Sequence, residues 1–132
     1  MTAGFFVDEN DLALGKALEG AHGDVVYPGH PDLPLVPRGS LDDEWLPVIG
    51  RQQLVVITRD QKIRYRVVEK QMWLDHKVRG FVLTGRKSQS TAASLAVLAK
   101  RWTDITALVE ARPDGPWMYG VTEERLRGIE LS

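Results

Sequence analysis

Hydrophobic residues in this chain fall into short runs that are separated by longer segments with helical spacing. The clearest run covers residues 54–57, four apolar residues of which three are β-branched, and it is followed by Thr58, Arg59 and Asp60. A short run without alternating polar positions is typical of a strand that is buried on both faces. It predicts a central strand of a parallel sheet, with the three polar residues at the edge where open α/β sheets bind ligands.

Other apolar runs predict four more strands, at residues 5–7, 25–27, 80–84 and 117–119. The segments between them carry apolar residues at the spacing of one buried helical face, or signals for the start of a helix. Helices are expected before Gly23, from Ser40, over residues 62–77 and after Ser90. The alternation of strand and helix predicts an α/β fold, a three-layer α/β/α sandwich around a central, mostly parallel sheet.

One long segment fits neither a strand nor a helix. Residues 28–39 hold four prolines and two glycines, a composition that predicts an extended loop. Loops of this length are uncommon in compact domains and are often functional. The sequence assigns this one no role.

The length of 132 residues predicts a single domain over residues 1–132, and 43% hydrophobic with 27% charged residues is typical of globular proteins. The absence of cysteine excludes disulfides, thiolate metal sites and thiol catalysis. No apolar run reaches the roughly 20 residues of a membrane span, and the first residues lack the features of a signal peptide. The chain is therefore expected to be cytoplasmic, with no membrane partner.

Charge is segregated along the chain although the net charge is only -1. Residues 1–50 contain nine acids and two bases, whereas residues 51–101 contain twelve bases and three acids. An acidic pocket beside a basic surface suits a metal-dependent enzyme that acts on a polyanion. Ordinary solvated helix faces would produce the same segregation, so charge alone leaves both interpretations open.

Acidic residues follow two of the predicted strands and begin one of the predicted helices. Asp8 follows the first strand, Asp60 follows the central strand, and Asp42, Asp43 and Glu44 begin the second helix. Carboxylates gathered at one sheet edge repel each other unless a cation compensates them, and oxygen ligands favour Mg²⁺ or Mn²⁺. Each Asp after a strand could instead simply cap the helix that follows it.

Three segments in this order resemble the PIN-like nucleases, including the VapC-type toxins of toxin–antitoxin systems. They are residues 5–10 (Phe-Phe-Val-Asp-Glu-Asn), 40–46 (Ser-Leu-Asp-Asp-Glu-Trp-Leu) and 55–60 (Val-Val-Ile-Thr-Arg-Asp). The resemblance implies a Mg²⁺- or Mn²⁺-dependent endoribonuclease that acts on RNA, the toxin of a toxin–antitoxin pair, with a cognate antitoxin and a homodimer as possible partners. It also implies that Asp8, Asp60 and Asp42 or its neighbours are the catalytic and metal-binding carboxylates, with Thr58 as a supporting hydroxyl.

The chain departs from this family in one position. Many relatives place a further Asp two residues after the Asp of the Thr-Arg-Asp motif, and Lys62 stands there in this chain. Asp43 or Glu44 could substitute for the missing acid. Catalysis by one metal ion instead of two, and a catalytically degenerate PIN-like module that binds RNA or protein, therefore stay open as alternatives.

Basic residues could bind the phosphates of such a substrate. Lys62, Arg66 and Lys70 recur every four residues and are expected on one face of the predicted helix over residues 62–77. The other candidates are Arg59, Arg86 and Lys87.

Two further hypotheses have less support from the residues that are present. Trp73 is either a core residue or a ring that stacks on a base. A response-regulator receiver would need a Lys after the fifth strand, and none follows Tyr119.

Overall fold

A computed structural model describes residues 4–85 and 90–131. Six strands form one sheet: β1 (Phe5–Val7), β2 (Val25–Val26), β3 (Val55–Thr58), β4 (Arg79–Leu83), β5 (Trp117–Val121) and β6 (Leu126–Ile129). The α-helices are α1 (Leu12–His22), α2 (Asp42–Gln52), α3 (Val67–Asp75) and α4 (Thr91–Ala111), and short 3₁₀ turns cover Glu9–Asp11 and Ile63–Tyr65. No helix within these ranges combines the length and the apolar character needed to cross a membrane.

The strand order in the sheet is β2-β1-β3-β4-β5-β6. The first five strands are parallel, and β6 pairs antiparallel with β5. This arrangement confirms the predicted α/β fold with a mostly parallel sheet. β6 was not among the predicted strands, because its residues are partly or fully exposed and carry no continuous apolar run.

Neighbouring residues of β1 point to opposite faces of the sheet, as the pleat requires. Phe6 packs into a core that includes Trp45 of α2 and Trp73 of α3. On the other side, Phe5 and Val7 pack into a second core with residues of α1 and α4. The sheet is therefore the middle layer of three, with α2 and α3 on one face and α1 and α4 on the other.

Trp73 is a core residue, so the proposal that it stacks on a base is wrong. Its side chain is fully buried, and its indole N–H donates to the carbonyl oxygen of Trp117 at 3.2 Å. The ring lies against β4 at Gly80, where an added Cβ would stand 2.6 Å from ring carbons. The absence of a side chain at Gly80 is what lets the ring lie so close to the sheet.

The single helix predicted over residues 62–77 is also wrong. The chain makes a 3₁₀ turn at Ile63–Tyr65, passes through Arg66 in an extended conformation, and begins α3 only at Val67. The turn is favoured because the Asp60 carboxylate accepts from the backbone N–H of Lys62 at 3.1 Å, which satisfies that donor outside a helix. Spacing by four therefore does not place the three cations of this segment on one helical face.

The proline-rich loop is anchored to α1. His30 Nε2 lies 2.5 Å from a carboxylate oxygen of Glu19, whose other oxygen accepts from the Tyr27 hydroxyl at 2.9 Å. His30 Nδ1 accepts from the backbone N–H of Asp32, so the ring proton lies on Nε2 and is donated to Glu19. At the far end of the loop, the backbone N–H of Gly39 donates to Glu9. The start of the loop is thereby held against α1, and its end is held against the turn that follows Asp8.

Candidate active site

The carboxyl ends of β1 and β3 lie side by side, because the two strands are parallel neighbours with Val7 opposite Ile57. Asp8 follows β1 directly, and Asp60 lies two residues beyond the end of β3. The start of α2 brings Asp42 close enough for its charge to act on both of these acids. Three segments that are distant in the chain thus place carboxylates at one edge of the sheet.

A cleft of about 660 Å³ opens at this edge. Its walls come from the turn after β1, the end of the proline-rich loop, the start of α2 and the first turn of α3. The lining residues are Asp8, Glu9, Asn10, Gly39, Ser40, Leu41, Asp42, Asp43, Val68 and Glu69.

Asp8 caps the turn that follows β1, and its carboxylate has a raised pKa. One carboxylate oxygen accepts from the backbone N–H of Glu9 at 2.7 Å and caps the 3₁₀ turn, as the capping interpretation predicted. The pKa of Asp8 is raised from 3.8 to about 6, chiefly by burial and less by the charges of Asp42, Asp11 and Glu9, while that hydrogen bond acts to lower it. The carboxylate is therefore held where its negative charge is poorly compensated.

Asp42 stands in the same electrostatic environment. Burial raises its pKa, the hydrogen bond from the indole N–H of Trp45 at 3.1 Å lowers it, and the charges of Glu69 and Asp60 raise it again. Glu69, on α3, is an acid of the cleft that the sequence analysis missed. Only the position of α3 brings it to Asp42, so no local sequence signal could have identified it.

Asp60 is oriented by Thr58 and neutralised by Arg66. The buried Thr58 hydroxyl accepts from the backbone N–H of Asp60 at 3.0 Å. An Arg66 guanidinium nitrogen lies 2.5 Å from one oxygen of Asp60 and 3.9 Å from an oxygen of Asp42. This hydrogen bond with Asp60 raises the pKa of Arg66. Arg66 thus bridges two of the predicted metal ligands. The prediction that Lys62, Arg66 and Lys70 share one helical face did not include this contact.

Arg59 contacts an acid that the sequence analysis also missed. Its side-chain Nε donates to the buried carboxylate of Asp11 at 2.7 Å, and its backbone N–H donates to the other oxygen at 3.2 Å. The pair ties the turn after β1 to the end of β3. Asp11 follows Asp8 by three residues, a spacing that could have suggested a second inward-facing acid.

The remaining predicted site residues are spread more widely. Asp43 lines the cleft, whereas a Glu44 carboxylate oxygen accepts from the backbone N–H of Leu41 and holds the start of α2. The helix that was expected from Ser40 begins at Asp42, and the Ser40 hydroxyl donates to the carbonyl of Pro37 and does not cap it. Lys62 is exposed and Lys70 is half-buried. Arg86 and Lys87 lie outside the described residues.

The acids of the cleft suit a metal ion in their chemistry but not in their spacing. In the part of the chain that the structure describes, no three or more Asp, Glu, His or Cys side chains lie close enough together to hold one. The chemistry of the donors nevertheless fits a hard divalent cation, because the donors are carboxylates and the pKa values of Asp8 and Asp42 are raised, first by burial and then by the charges of neighbouring acids. A cation bound to Asp42 and Asp60 would compete with Arg66 for the same oxygens.

More than half of the chain matches a known family. Residues 3–85 match the family model described as a PIN like domain, a range that contains β1 to β4 and every acid of the cleft. Comparisons with curated proteins and with solved structures gave no match.

Proposed function

Because the chain belongs to the family of PIN-like domains, which are generally nucleases, we propose that it is a metal-dependent endoribonuclease that hydrolyses phosphodiester bonds in RNA. The observation that carries the proposal is the convergence of Asp8, Asp42 and Asp60 at the carboxyl ends of β1 and β3. The pKa values of Asp8 and Asp42 are raised first by burial and then by neighbouring acids, so a cation bound beside them would stabilise both ionised carboxylates.

In this proposal Asp8, Asp42 and Asp60 would hold Mg²⁺ or Mn²⁺, and because they do not lie close enough together in this structure to do so, they would have to move towards the ion as it binds. A bound cation of this type neutralises charge on the phosphodiester and lowers the pKa of a bound water. Asp43 and Glu69 add negative charge around the cleft, and either acid could take the role of the carboxylate that Lys62 replaces. Glu44 is a weaker candidate because it already holds the start of α2.

Other residues of the chain position these acids. The Thr58 hydroxyl holds the backbone of Asp60, and the Asp11–Arg59 pair holds the two strand ends together. Lys62 and Lys70 are proposed to bind substrate phosphates, together with Arg86, Lys87 and the exposed part of Arg59. Arg66 can contribute to phosphate binding only after it releases Asp60.

The test is cleavage of single-stranded and structured RNA by the purified chain across Mg²⁺ and Mn²⁺ titrations. Asp60→Asn should abolish cleavage while circular dichroism shows an unchanged fold, because the amide keeps the shape of the side chain and loses its charge. Glu123→Gln, which removes one exposed charge far along the chain from the cleft acids, is the matched control and should cleave normally.

An inert wild-type chain under all metal conditions would overturn the nuclease proposal and favour a PIN-like scaffold that binds RNA or protein without cutting. The role as the toxin of a toxin–antitoxin pair is a finer proposal with its own readout. Growth arrest on expression, prevented by Asp60→Asn, would support it, and normal growth with an active nuclease would exclude it.

A further inference from the structure

Some of the exposed apolar side chains lie at the acidic cleft or next to Arg66, which contacts two of the acids at this edge of the sheet. Among the described residues, the large apolar side chains that are exposed are Leu35, Leu41, Tyr65, Val67 and Val68. Leu41 and Val68 line the cleft itself, and Tyr65 and Val67 directly flank Arg66 in the chain. We call Tyr65, Val67 and Val68 the apolar ledge.

The exposure of the apolar ledge follows from the break in the chain at Arg66. Had residues 62–77 formed one helix, Val67 would share a face with Ile63, which is buried. The extended conformation of Arg66 instead leaves Val67 81% and Tyr65 69% exposed. Because the hydrophobic effect rewards only apolar surface that is removed from water, the folded chain gains little from these residues. Clustered exposed apolar residues of this kind mark binding surfaces.

Cations are interleaved with the apolar ledge. The Arg64 guanidinium lies over the Tyr65 ring, 4.7 Å from its centroid. Lys62 is exposed on the same segment, and the Arg66 side chain is 42% exposed. An aromatic ring among cations is the arrangement that binds single-stranded nucleic acid, because bases stack on the ring while cations hold phosphates. A purely apolar partner surface would leave Lys62 and Arg64 facing no counter-charge on the partner.

We propose that the apolar ledge is a platform on which an unpaired base of the RNA substrate stacks on Tyr65, with Arg64 and Lys62 on the neighbouring phosphates. The proposal rests on the proposed function, since it names the form of RNA that reaches the cleft. Stacking beside the acids places the adjoining phosphodiester at the cleft and selects strands whose bases are not paired.

The test is binding of a short single-stranded RNA to the wild-type chain and to variants, measured by fluorescence anisotropy in EDTA. Base stacking on an aromatic side chain is worth about 1–3 kcal/mol, so Tyr65→Ala should weaken binding by roughly tenfold. Tyr65→Phe keeps the ring and should bind like the wild type. Leu35→Ala removes an equally exposed apolar side chain that does not line the cleft and should have no effect.

An abasic strand of the same length separates stacking from charge. Its binding should be the same for wild type and Tyr65→Ala, because no base is left to stack. Equal losses on both strands, or unchanged binding of the normal strand by Tyr65→Ala, would overturn the proposal, and the second result would assign the ledge to a protein partner. Since EDTA prevents metal-dependent cleavage, binding can fail or succeed independently of nuclease activity.

Discussion

Replacing Asp8 by Asn should make the metal-free protein more stable at neutral pH. In the folded chain the pKa of Asp8 is raised to about 6, first by burial and then by the charges of Asp42, Asp11 and Glu9. The ionised carboxylate is therefore less favourable in the folded than in the unfolded state. Asparagine removes the charge and keeps an oxygen that can accept from the backbone N–H of Glu9.

The size of the effect follows from the difference between the two pKa values. Each pKa unit corresponds to about 1.4 kcal/mol, so a rise from 3.8 to about 6 corresponds to at most about 3 kcal/mol. Asp8 is only partly buried, and screening by solvent reduces the expected gain in the free energy of unfolding to about 1–2 kcal/mol. Loss of the weak contact with the Asn10 side chain at 3.4 Å subtracts little.

The gain in stability of Asp8→Asn over the wild type should increase with pH. A raised pKa in the folded state means that the folded protein binds the Asp8 proton more tightly, so wild-type stability falls as pH rises from about 4 to about 6. Above that window the full penalty is present, and below it the penalty disappears. The wild type and Asp8→Asn should therefore differ most at pH 7.5 and little at pH 4.

The assay is urea unfolding of both proteins in EDTA at pH 4, 6 and 7.5. Glu123→Gln is the control for a change of one unit in net charge, and it should change stability by less than about 0.5 kcal/mol. A variant that is no more stable than the wild type at pH 7.5, or a difference that is constant with pH, would refute the electrostatic explanation of the cleft.

Two further predictions concern Arg66 and the proline-rich loop. Arg66→Gln removes the cation that neutralises Asp60, so calorimetry should show that the variant binds Mn²⁺ several-fold more tightly than the wild type. The control variant Arg64→Gln should change the affinity for Mn²⁺ less. Weaker Mn²⁺ binding by Arg66→Gln would mean that Arg66 supports the metal site. Glu19→Gln should lower the free energy of unfolding by about 1 kcal/mol at pH 7, because its hydrogen bonds with His30 and Tyr27 become weaker. Those hydrogen bonds lower the pKa of Glu19, so the difference from wild type in urea unfolding should shrink as pH falls below 4.5, and a difference that persists in acid would contradict it.

Much of the fold could be predicted because its signals are local. Short apolar runs identified five of the six strands, and the alternation of strands with helical segments implied parallel pairing. Neighbouring parallel strands end at the same edge of the sheet, so the residues that follow β1 and β3 had to lie at that edge. Asp8 and Asp60 could be brought together on that reasoning alone, with no knowledge of the packing of helices.

The surroundings of those acids were decided by tertiary structure. Arg66 meets Asp60 only because the chain breaks out of the helical path, a break that periodicity cannot reveal since Val67 fits a buried position equally well. Glu69 reaches Asp42 through the packing of α3 beside α2, and Asp11 meets Arg59 across 48 residues of sequence. The sequence by itself determined which carboxylates face the sheet edge, because hydrophobic period and strand direction are properties of each segment. Which charges compensate them, and which apolar side chains stay exposed beside them, depends on contacts between segments, and only the folded chain contains those contacts.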